Sequence, residues 1–510
     1  MPTPVTTLLI VTVIILGTSL AVAALVELFR PGKAPQLIID QLSVVLDIYL
    51  RWRYPILHKT RRVQLPSCSY RWPNGQGDTG KFMDGIQNSA KWEEQYGSVY
   101  RLWSGFSSEI VLTQPHQLRS IFKDSDRHAK APANNSGHYM NELLGKCVGL
   151  ISGRQWRSVR SVVEPPFSHQ AVMTTVTMVE QHVVRHFRSL RGGGNLSRGL
   201  IHPAQDLKML PFWVVCEMFY GPLPADLTQL LEELAPLRER LFQYVVEGGL
   251  QRFWLSRYLP TKANADLKYF QQQWRSFNDA AQRHALSSNP TAPIVSMYAA
   301  VQAGQLSSEQ LLQTLDESLY ANLDVTTGGL SWNLVFLAAH PEIQESVRVE
   351  IAAAADSGEL HAYLLDSSTL LAACIMESSR LKPLAAFSVP QAAPTDREVD
   401  GYIIPAGTSF VIDAYALNVR NQAWSPDNTT YRPTRFVGVR NSDLRYLFWR
   451  FGFGARQCMG KHAADLIIRQ AIVHLVQNYD LALQDSAAWT RDPKTWITHP
   501  DFELLCTERE

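Results

Sequence analysis

The sequence predicts a mainly α-helical chain with a small β region, and three observations lead there. Apolar residues recur at helical spacing over most of the stretch from about residue 122 to Pro383. Two short runs rich in β-branched and aromatic residues precede that stretch, Val99-Tyr100-Arg101-Leu102-Trp103 and Glu109-Ile110-Val111-Leu112, and read as strands of a small sheet. A proline-punctuated segment, Pro383 to Thr408, comes after it and reads as a strand-rich corner. At 510 residues and 46% apolar content the chain can bury a substantial core, which excludes a disordered class. A net charge of +1 provides no global field for nucleic acid. Six cysteines, Cys68, Cys147, Cys216, Cys374, Cys458 and Cys506, show no paired spacing. That pattern fits free thiols in a reducing compartment better than a disulfide framework.

The first element is an apolar run. Residues 5–26 carry no charge and match the ~20 residues a helix needs to cross a bilayer. Arg30 and Lys33 come just after it, and no Lys or Arg comes before, so the positive-inside tendency places the downstream domain in the cytosol. A cleaved signal peptide is the competing reading; the missing basic n-region and the length of the run stand against it. The expected organisation is an anchor over 1–30, a membrane-proximal linker over 31–66 and one large domain over 67–510. Within the linker, Leu37 to Leu50 is broken by Asp40 and Asp47 on one helical face. This is an amphipathic helix that either lies on a membrane surface or packs as an ordinary helix. Arg51, Arg53, Lys59, Arg61 and Arg62 suit anionic headgroups or, equally, a solvated face.

Further along, Trp156 and Arg160 are four apart and share a helix face. One long helix is predicted from Ser307 to Ala339, ended by Pro341. Its middle, Ala321-Asn322-Leu323-Asp324-Val325-Thr326-Thr327-Gly328-Gly329, puts an acid, two threonines and two glycines where they cost helix stability. Such local inconsistency marks functional sites. The threonine hydroxyls can turn back on the i−4 carbonyl and open the ladder. Glu377 and Arg380, three apart on a helix from Thr369 to Leu381, form an ion pair. The stretch Phe451 to Gly460 then places Cys458 in a glycine-bracketed loop ahead of a helix start, where backbone N–H groups and the positive helix end favour a thiolate. Arg456 offers a fork for a carboxylate. Zinc at Cys458 and His462 would need two more ligands, and none lies at metal spacing. No Gly-x-Gly-x-x-Gly comes after a strand, so no dinucleotide or flavin site of the chain's own is legible.

The order Phe451, Gly454, Arg456, Cys458, Gly460 resembles the haem-ligand loop of the cytochrome P-450 superfamily. Further matches run in the expected order from Trp156 onward, so the resemblance covers almost the whole chain. It implies the cytochrome P-450 fold, with haem b between the central helix at Asp324 and the loop at Cys458. Cys458 would be the axial thiolate on the haem iron, a ligand that favours O–O cleavage. Arg456, Trp156 and Arg160 would reach the haem propionates, with His128 as a third partner. Glu377, Arg380 and Arg435 would form a buried structural set holding the loop. Ala385, Ala386 and Phe387 would contact substrate where the chain passes over the haem. The loop from Ala131 to Val148 would join them.

On the central helix the superfamily pattern Ala/Gly-Gly-x-Asp/Glu-Thr-Thr/Ser is met at Ala321, Asp324 and Thr326. Asn322 replaces the usual glycine and Val325 the first threonine, which normally helps deliver protons to bound oxygen. Either Thr326 takes over, or Asp324 and water serve, or the reaction needs less proton delivery. The implied reaction consumes O2 and two electrons, inserting one oxygen atom into a small apolar organic substrate. Two alternatives are oxidative coupling or rearrangement without oxygen insertion, and a non-catalytic membrane-anchored haem-binding protein. The polar groups in mid-helix argue against the latter.

Electrons would come from an NADPH-dependent flavoprotein reductase. Arg440, Arg445, Arg450, Arg456 and Lys461 would form a basic surface that steers it. With the anchor, the resemblance implies a single-pass protein of the endoplasmic reticulum membrane with a cytosolic catalytic domain. Trp72 to Gly77 and Asn322 to Thr327 look similar to fungal secondary-metabolism members of the amino-acid-derived, diketopiperazine mycotoxin kind.

Overall fold

The computed structural model describes residues 36–485 and 489–509, with isolated positions 17, 18, 21, 22 and 25. The span expected over residues 5–26 lies outside the described residues but for those five positions. Among the described residues no helix is long and apolar enough to cross a membrane.

The helices that position the site are α1 (Gln36–Arg53), α2 (Gly153–Val163), α3 (Met209–Tyr220), α4 (Ala225–Glu247), α5 (Lys262–Ser288), α6 (Ser308–Ala339), α7 (Leu370–Leu381) and α8 (Lys461–Asn478). The fold is organised around α6. Its start is a capping box: Ser307 Oγ accepts from Gln310 N at 3.1 Å, and Gln310 Oε1 accepts from Ser307 N at 2.9 Å. His340 closes it, and Pro341 opens the next helix because proline fits a first turn and not an interior. α3, apolar on nearly every side, packs against α6 together with α7 and α8. Each Leu or Phe that this layer removes from water contributes about 1.5–3 kcal/mol. α4 and α5 pack on each other and are tied to α6 at two points. Trp274 Nε1 donates to the Leu312 carbonyl at 2.9 Å, and Arg238 pairs with Asp316 at 2.6 Å in the interior.

The strands are β1 (Val99–Ser104), β2 (Ser107–Leu112), β3 (Ala129–Lys130), β4 (Leu200–Ile201), β5 (Gln391–Ala392), β6 (Arg397–Val399), β7 (Tyr402–Ile404), β8 (Ser409–Ile412), β9 (Tyr479–Leu483) and β10 (Leu504–Glu508). The main sheet runs β1-β2-β8-β5-β3. β1 and β2 form an antiparallel hairpin with Val99 opposite Leu112, and β2 pairs in parallel with β8. The corner expected after Pro383 supplies β5 to β8. The two-residue β3 carries no periodicity of its own and is invisible in the sequence; pairing with β5 places Lys130 opposite Gln391.

α1 shows two faces. Leu42 and Leu50 are buried against Tyr70, Trp72 and Trp103, which fastens the linker helix to the large domain. Val44, Ile48 and Trp52, each four residues on from the last, stay exposed, Trp52 by 73%. Asp47 points inward, accepting from Arg51 Nε at 2.8 Å and from Tyr70 N at 2.9 Å.

Candidate active site

The cysteine loop is built from tight turns. Cys458 N donates to Phe451 O at 2.9 Å and Gln457 N to Gly454 O at 3.0 Å. Gly454 is required twice: its φ is +66°, and a Cβ there would lie 2.6 Å from Ser125 Oγ. Gly460 occupies the N-cap of α8. All six cysteines are free, and Cys458 is the one that is exposed. Its thiol is nonetheless pushed up, chiefly by burial among protein atoms; the Gly460 N–H and Arg160 pull the other way and do not prevail. Withdrawal from water acts against the amides, helix end and cation that favour a thiolate. Cys458 lines a cavity together with Arg160, Lys461 and His462.

α6 carries a partly exposed face of its own. Between Leu311 and Ala338 every residue is buried except positions 317, 318, 321, 322, 324, 325 and 329. These recur every three to four residues and so share one face. That face stays partly exposed while the rest of the stretch is packed.

A group of cations flanks the loop. The Arg456 guanidinium lies 4.6 Å over the Trp156 ring and donates to the carbonyls of Ile151 at 2.9 Å and Gly149 at 3.5 Å. Arg160 donates to Glu164 at 2.6 Å and to Gln457 O at 3.2 Å, while its buried Nε has no partner. Lys130 joins them: burial, then the nearby Arg456, lowers its ammonium to about 8. Burial, then Arg160, lowers Arg456 to about 10. Among the described residues neither Lys130 nor Arg456 has a carboxylate at ion-pair distance. Glu317, the acid they sense, accepts from Gly149 N at 3.0 Å, and burial raises its own pKa. Crowded cations without acids are costly unless a ligand brings the negative charge, so this donor set fits a group carrying two carboxylates. His128 is buried with both ring nitrogens unpartnered, 3.5 Å from Asp124. Its charged neighbours are Asp124 and Arg397, apart from the group at Arg456.

The middle of α6 is tied elsewhere. Asp324 Oδ2 accepts from Trp496 Nε1 at 2.8 Å, and His499 Nε2 donates to the Asp324 carbonyl at 2.8 Å. Thr326 is buried, and its hydroxyl donates to Asn322 Oδ1 at 2.6 Å. Thr327 donates to the Asn322 carbonyl, five residues back, at 3.1 Å. Neither threonine makes the expected i−4 carbonyl bond: Asn322, in place of glycine, offers Thr326 a side-chain acceptor, and Thr327 reaches one carbonyl further back. The two glycines mark close approaches. A Cβ on Gly328 would lie 2.9 Å from the His499 ring, and one on Gly329 would lie 3.3 Å from Ile468 of α8. Sequence reasoning misses Trp496 and His499, since they come from a C-terminal coil without periodicity.

The model for the family described as Cytochrome P450 matches residues 76–506. The chain belongs to the cytochrome P450 family. It is 53% identical to Cytochrome P450 monooxygenase aclC of Aspergillus oryzae over 90% of this chain and 95% of that one. It is 50% identical to Cytochrome P450 monooxygenase asaD of Aspergillus flavus over 92% and 91%. It is 40% identical to Cytochrome P450 monooxygenase gliC of Aspergillus fumigatus over 91% and 93%. Its fold is similar to that of a zebra fish cytochrome P450 solved with abiraterone, at a TM-score of 0.63 and 18% identity over 83% of this chain and 99% of that one. The protein is thus a monooxygenase of the haem-thiolate kind, with a mainly helical P450 fold and small sheets.

Within this P450 the acid–arginine set is complete. Glu377 and Arg380 are fully buried on α7 and meet in two parallel bonds of 2.7 and 2.9 Å. Glu377 also accepts from Arg432 N at 3.0 Å and, more distantly, from Arg435 Nε at 3.4 Å. Arg380 donates to the carbonyls of Asn418 at 3.1 Å and Asn428 at 2.6 Å. Asn418 in turn clasps the backbone of Trp449 through two 2.8 Å bonds, two residues before the cysteine loop begins. The pair therefore reaches the loop through one intermediate residue.

On the outer side of the loop lies a cavity of about 350 Å³ lined by Arg160, Glu164, His169, Cys458, Lys461 and His462 among others. Arg440, Arg445 and Lys461 face outward beside the loop, Arg440 bridged to Asp443 and Lys461 hydrogen-bonded to Gln457. Arg450 turns inward to Asp465 of α8 and Arg456 to Trp156, so the basic surface is smaller than the count of arginines suggests. Of the expected substrate contacts, Ala385 is half-buried. Ala386 and Phe387 are fully packed under the sheet with Trp92 and Tyr415. Phe82, Phe242 and Trp496 form an aromatic cluster beside Asp324, with ring centroids 6.0 and 4.9 Å apart.

Proposed function

We propose that this P450 inserts one atom of O2 into a small apolar product of fungal secondary metabolism, with Cys458 as the axial ligand of haem b. The observation that carries this is the conjunction of one exposed cysteine, a partly exposed strip on α6 and two cations, Lys130 and Arg456, that have no ion-paired carboxylate among the described residues. Bound haem supplies oxygen activation, spending two electrons and two protons so that one oxygen enters substrate and the other leaves as water. Haem iron, when bound, would supply the positive charge that favours the thiolate of Cys458, against the burial that raises its pKa. Arg456, Arg160 and Lys130 hold the two propionates, and Trp156 braces Arg456 from below.

Asp324 is the acid that delivers protons: Val325 has no hydroxyl, and Thr326 is engaged by Asn322. Phe82, Phe242, Trp496 and Ala385 supply apolar walls for the substrate. An amino-acid-derived, diketopiperazine-type substrate is supported by the resemblance at Trp72 to Gly77 and Asn322 to Thr327. Oxidative coupling without oxygen insertion is the second reading, favoured by Val325.

An NADPH-dependent flavoprotein reductase suits the outward cations Arg440 and Arg445 and the Lys461 that lines the cavity at Cys458. Attachment to the endoplasmic reticulum membrane by residues 5–26, with a cytosolic catalytic domain, is supported by exposed apolar groups near that end. The stripe Val44, Ile48, Trp52 adjoins a second exposed set, Trp254, Leu255 and Tyr258. Leu250 joins the two by packing into the cluster beneath α1.

The reduced, purified protein is expected to bind carbon monoxide with the red-shifted absorption of a thiolate-ligated haem, and Cys458→Ser to lose it. Wild-type protein without that band overturns the assignment. Label from 18O2 in the product supports insertion; unlabelled oxidised product selects coupling instead.

A further inference from the structure

We infer that Trp496 and His499 are positioning residues for oxygen activation, holding Asp324 so that its one free carboxylate oxygen faces the oxygen site. The inference rests on Asp324 being the proton-delivering acid, as proposed above.

The two contacts act on different parts of one residue. Trp496 Nε1 donates to Oδ2 at 2.8 Å and fixes the side-chain torsion; His499 Nε2 donates to the carbonyl at 2.8 Å and fixes the backbone. Oδ1 accepts from no described residue and is left for the proton. An indole N–H donates and never accepts, so Trp496 cannot take that proton itself. Burial pushes the His499 imidazole down, which suits a neutral ring carrying its hydrogen on Nε2.

The clamp is anchored independently of the acid. Thr498 N donates to Leu384 O at 2.9 Å, and Thr498 O accepts from Trp332 Nε1 at 2.8 Å. Arg491 donates to the carbonyls of Phe82, Met83 and Thr495. The Trp496 ring is wedged between Phe82 and Phe242. Gly328 is the opening through which the segment reaches α6, since any Cβ there would strike the His499 ring. A helix interior that accepts a glycine at position 328, at roughly 1 kcal/mol, gains here a fixed carboxylate. With no hydroxyl at position 325 to share the task, the acid's placement carries more of the proton delivery.

The test needs no substrate. In substrate-free turnover with a flavoprotein reductase, O2, NADPH and one proton give H2O2 and NADP+. Alternatively O2, two NADPH and two protons give two waters and two NADP+. Both draw on proton delivery. Trp496→Phe, with haem content and the carbon monoxide spectrum intact, is expected to slow NADPH oxidation about tenfold, the scale of a misplaced catalytic group. It should also enlarge the solvent deuterium isotope effect. Asp324→Asn should do the same, and the double variant should be no slower than Asp324→Asn alone, because both changes remove one function. His499→Leu should behave like Trp496→Phe, and His499→Gln, whose amide can still donate, should restore most of the rate. If Asp324→Asn leaves rate and isotope effect unchanged, the proton-delivery reading fails. If Asp324→Asn acts but Trp496→Phe does not, or the two effects multiply, the clamp is refuted and the reading stands. Should Trp496→Phe fail to hold haem, the His499→Leu and His499→Gln pair decides: equal rates refute the clamp.

Discussion

Two clusters of charge lie on either side of the cysteine loop, and they are finished to different degrees. At Glu377, Arg380 and Arg435 the buried acid meets arginines, and the spare arginine donors find backbone carbonyls at Asn418, Asn428, Trp424 and Asp427. At Lys130, Arg160 and Arg456 the cations crowd one another, two of them held below their ordinary pKa; Arg160 pairs with Glu164 and Glu317 is engaged by Gly149 N, which leaves Lys130 and Arg456 without an ion-paired acid among the described residues. The first cluster is closed by the chain itself. The second closes only when something brings carboxylates, and haem brings two. The contrast separates a residue set that builds the loop from one that fills it.

Breaking the closed cluster should do the most damage. Glu377→Ala strands Arg380 in the interior, a loss of about 3–5 kcal/mol, and loosens the Asn418 clasp on Trp449. The expected outcome is protein of low yield with almost no haem, read as the haem-to-polypeptide ratio. Normal haem content would remove the link from α7 to the loop. Breaking the open cluster should leave the fold standing. Arg456→Met and Lys130→Met each delete a charge-assisted contact worth about 1.5–3 kcal/mol, so haem should transfer to apomyoglobin about 10- to 100-fold faster. The haem-free form of Lys130→Met should melt no lower than wild type, since the variant removes an unpaired cation. A lower melting point there would show that Lys130 is satisfied by the chain.

The same contrast has a pH signature. In the haem-free fold Lys130 is lowered to about 8 from the ordinary 10.5. Its folded value lies below its unfolded one, so stability is present above 10.5 and is lost as pH falls toward 8. Propionates raise that value again, so haem binding takes up a proton. Haem should therefore be held best below pH 8 and be released faster as pH rises through it. Lys130→Met should flatten this slope, and an unchanged slope in the variant would assign it to another group.

The helical fold, the central helix and the cysteine loop are legible in the sequence because each is a local pattern: apolar period, capping box, glycine spacing. The partner of Glu377 on its own helix is legible for the same reason. Lys130, Glu317, Trp496 and His499 are not. Their roles arise from contacts across more than a hundred residues, between a two-residue strand, a mid-helix face and a terminal coil. Thr326 shows the converse case. Its place in the local pattern suggests a proton donor, and a neighbouring asparagine four residues away redirects its hydroxyl. Arg450 is similar: as one of five basic residues it reads as surface, and its pairing with Asp465 makes it part of the loop's support.

That pairing gives the mildest test. Arg445 is exposed, stacked only on its own neighbour Tyr446, and belongs to neither cluster. If it serves a reductase, reversing it to Glu should change encounter and nothing else. Haem content and the carbon monoxide spectrum should match wild type. The concentration of reductase needed for half-maximal turnover should rise about two- to fivefold at low salt, in line with one rim charge. Near 0.5 M salt the difference should vanish, because screening over less than about 8 Å removes long-range steering. Arg450→Glu should behave otherwise and lose haem, since it breaks the Asp465 pair. Equal phenotypes for the two arginines would mean that the division between building and filling the loop has been drawn in the wrong place.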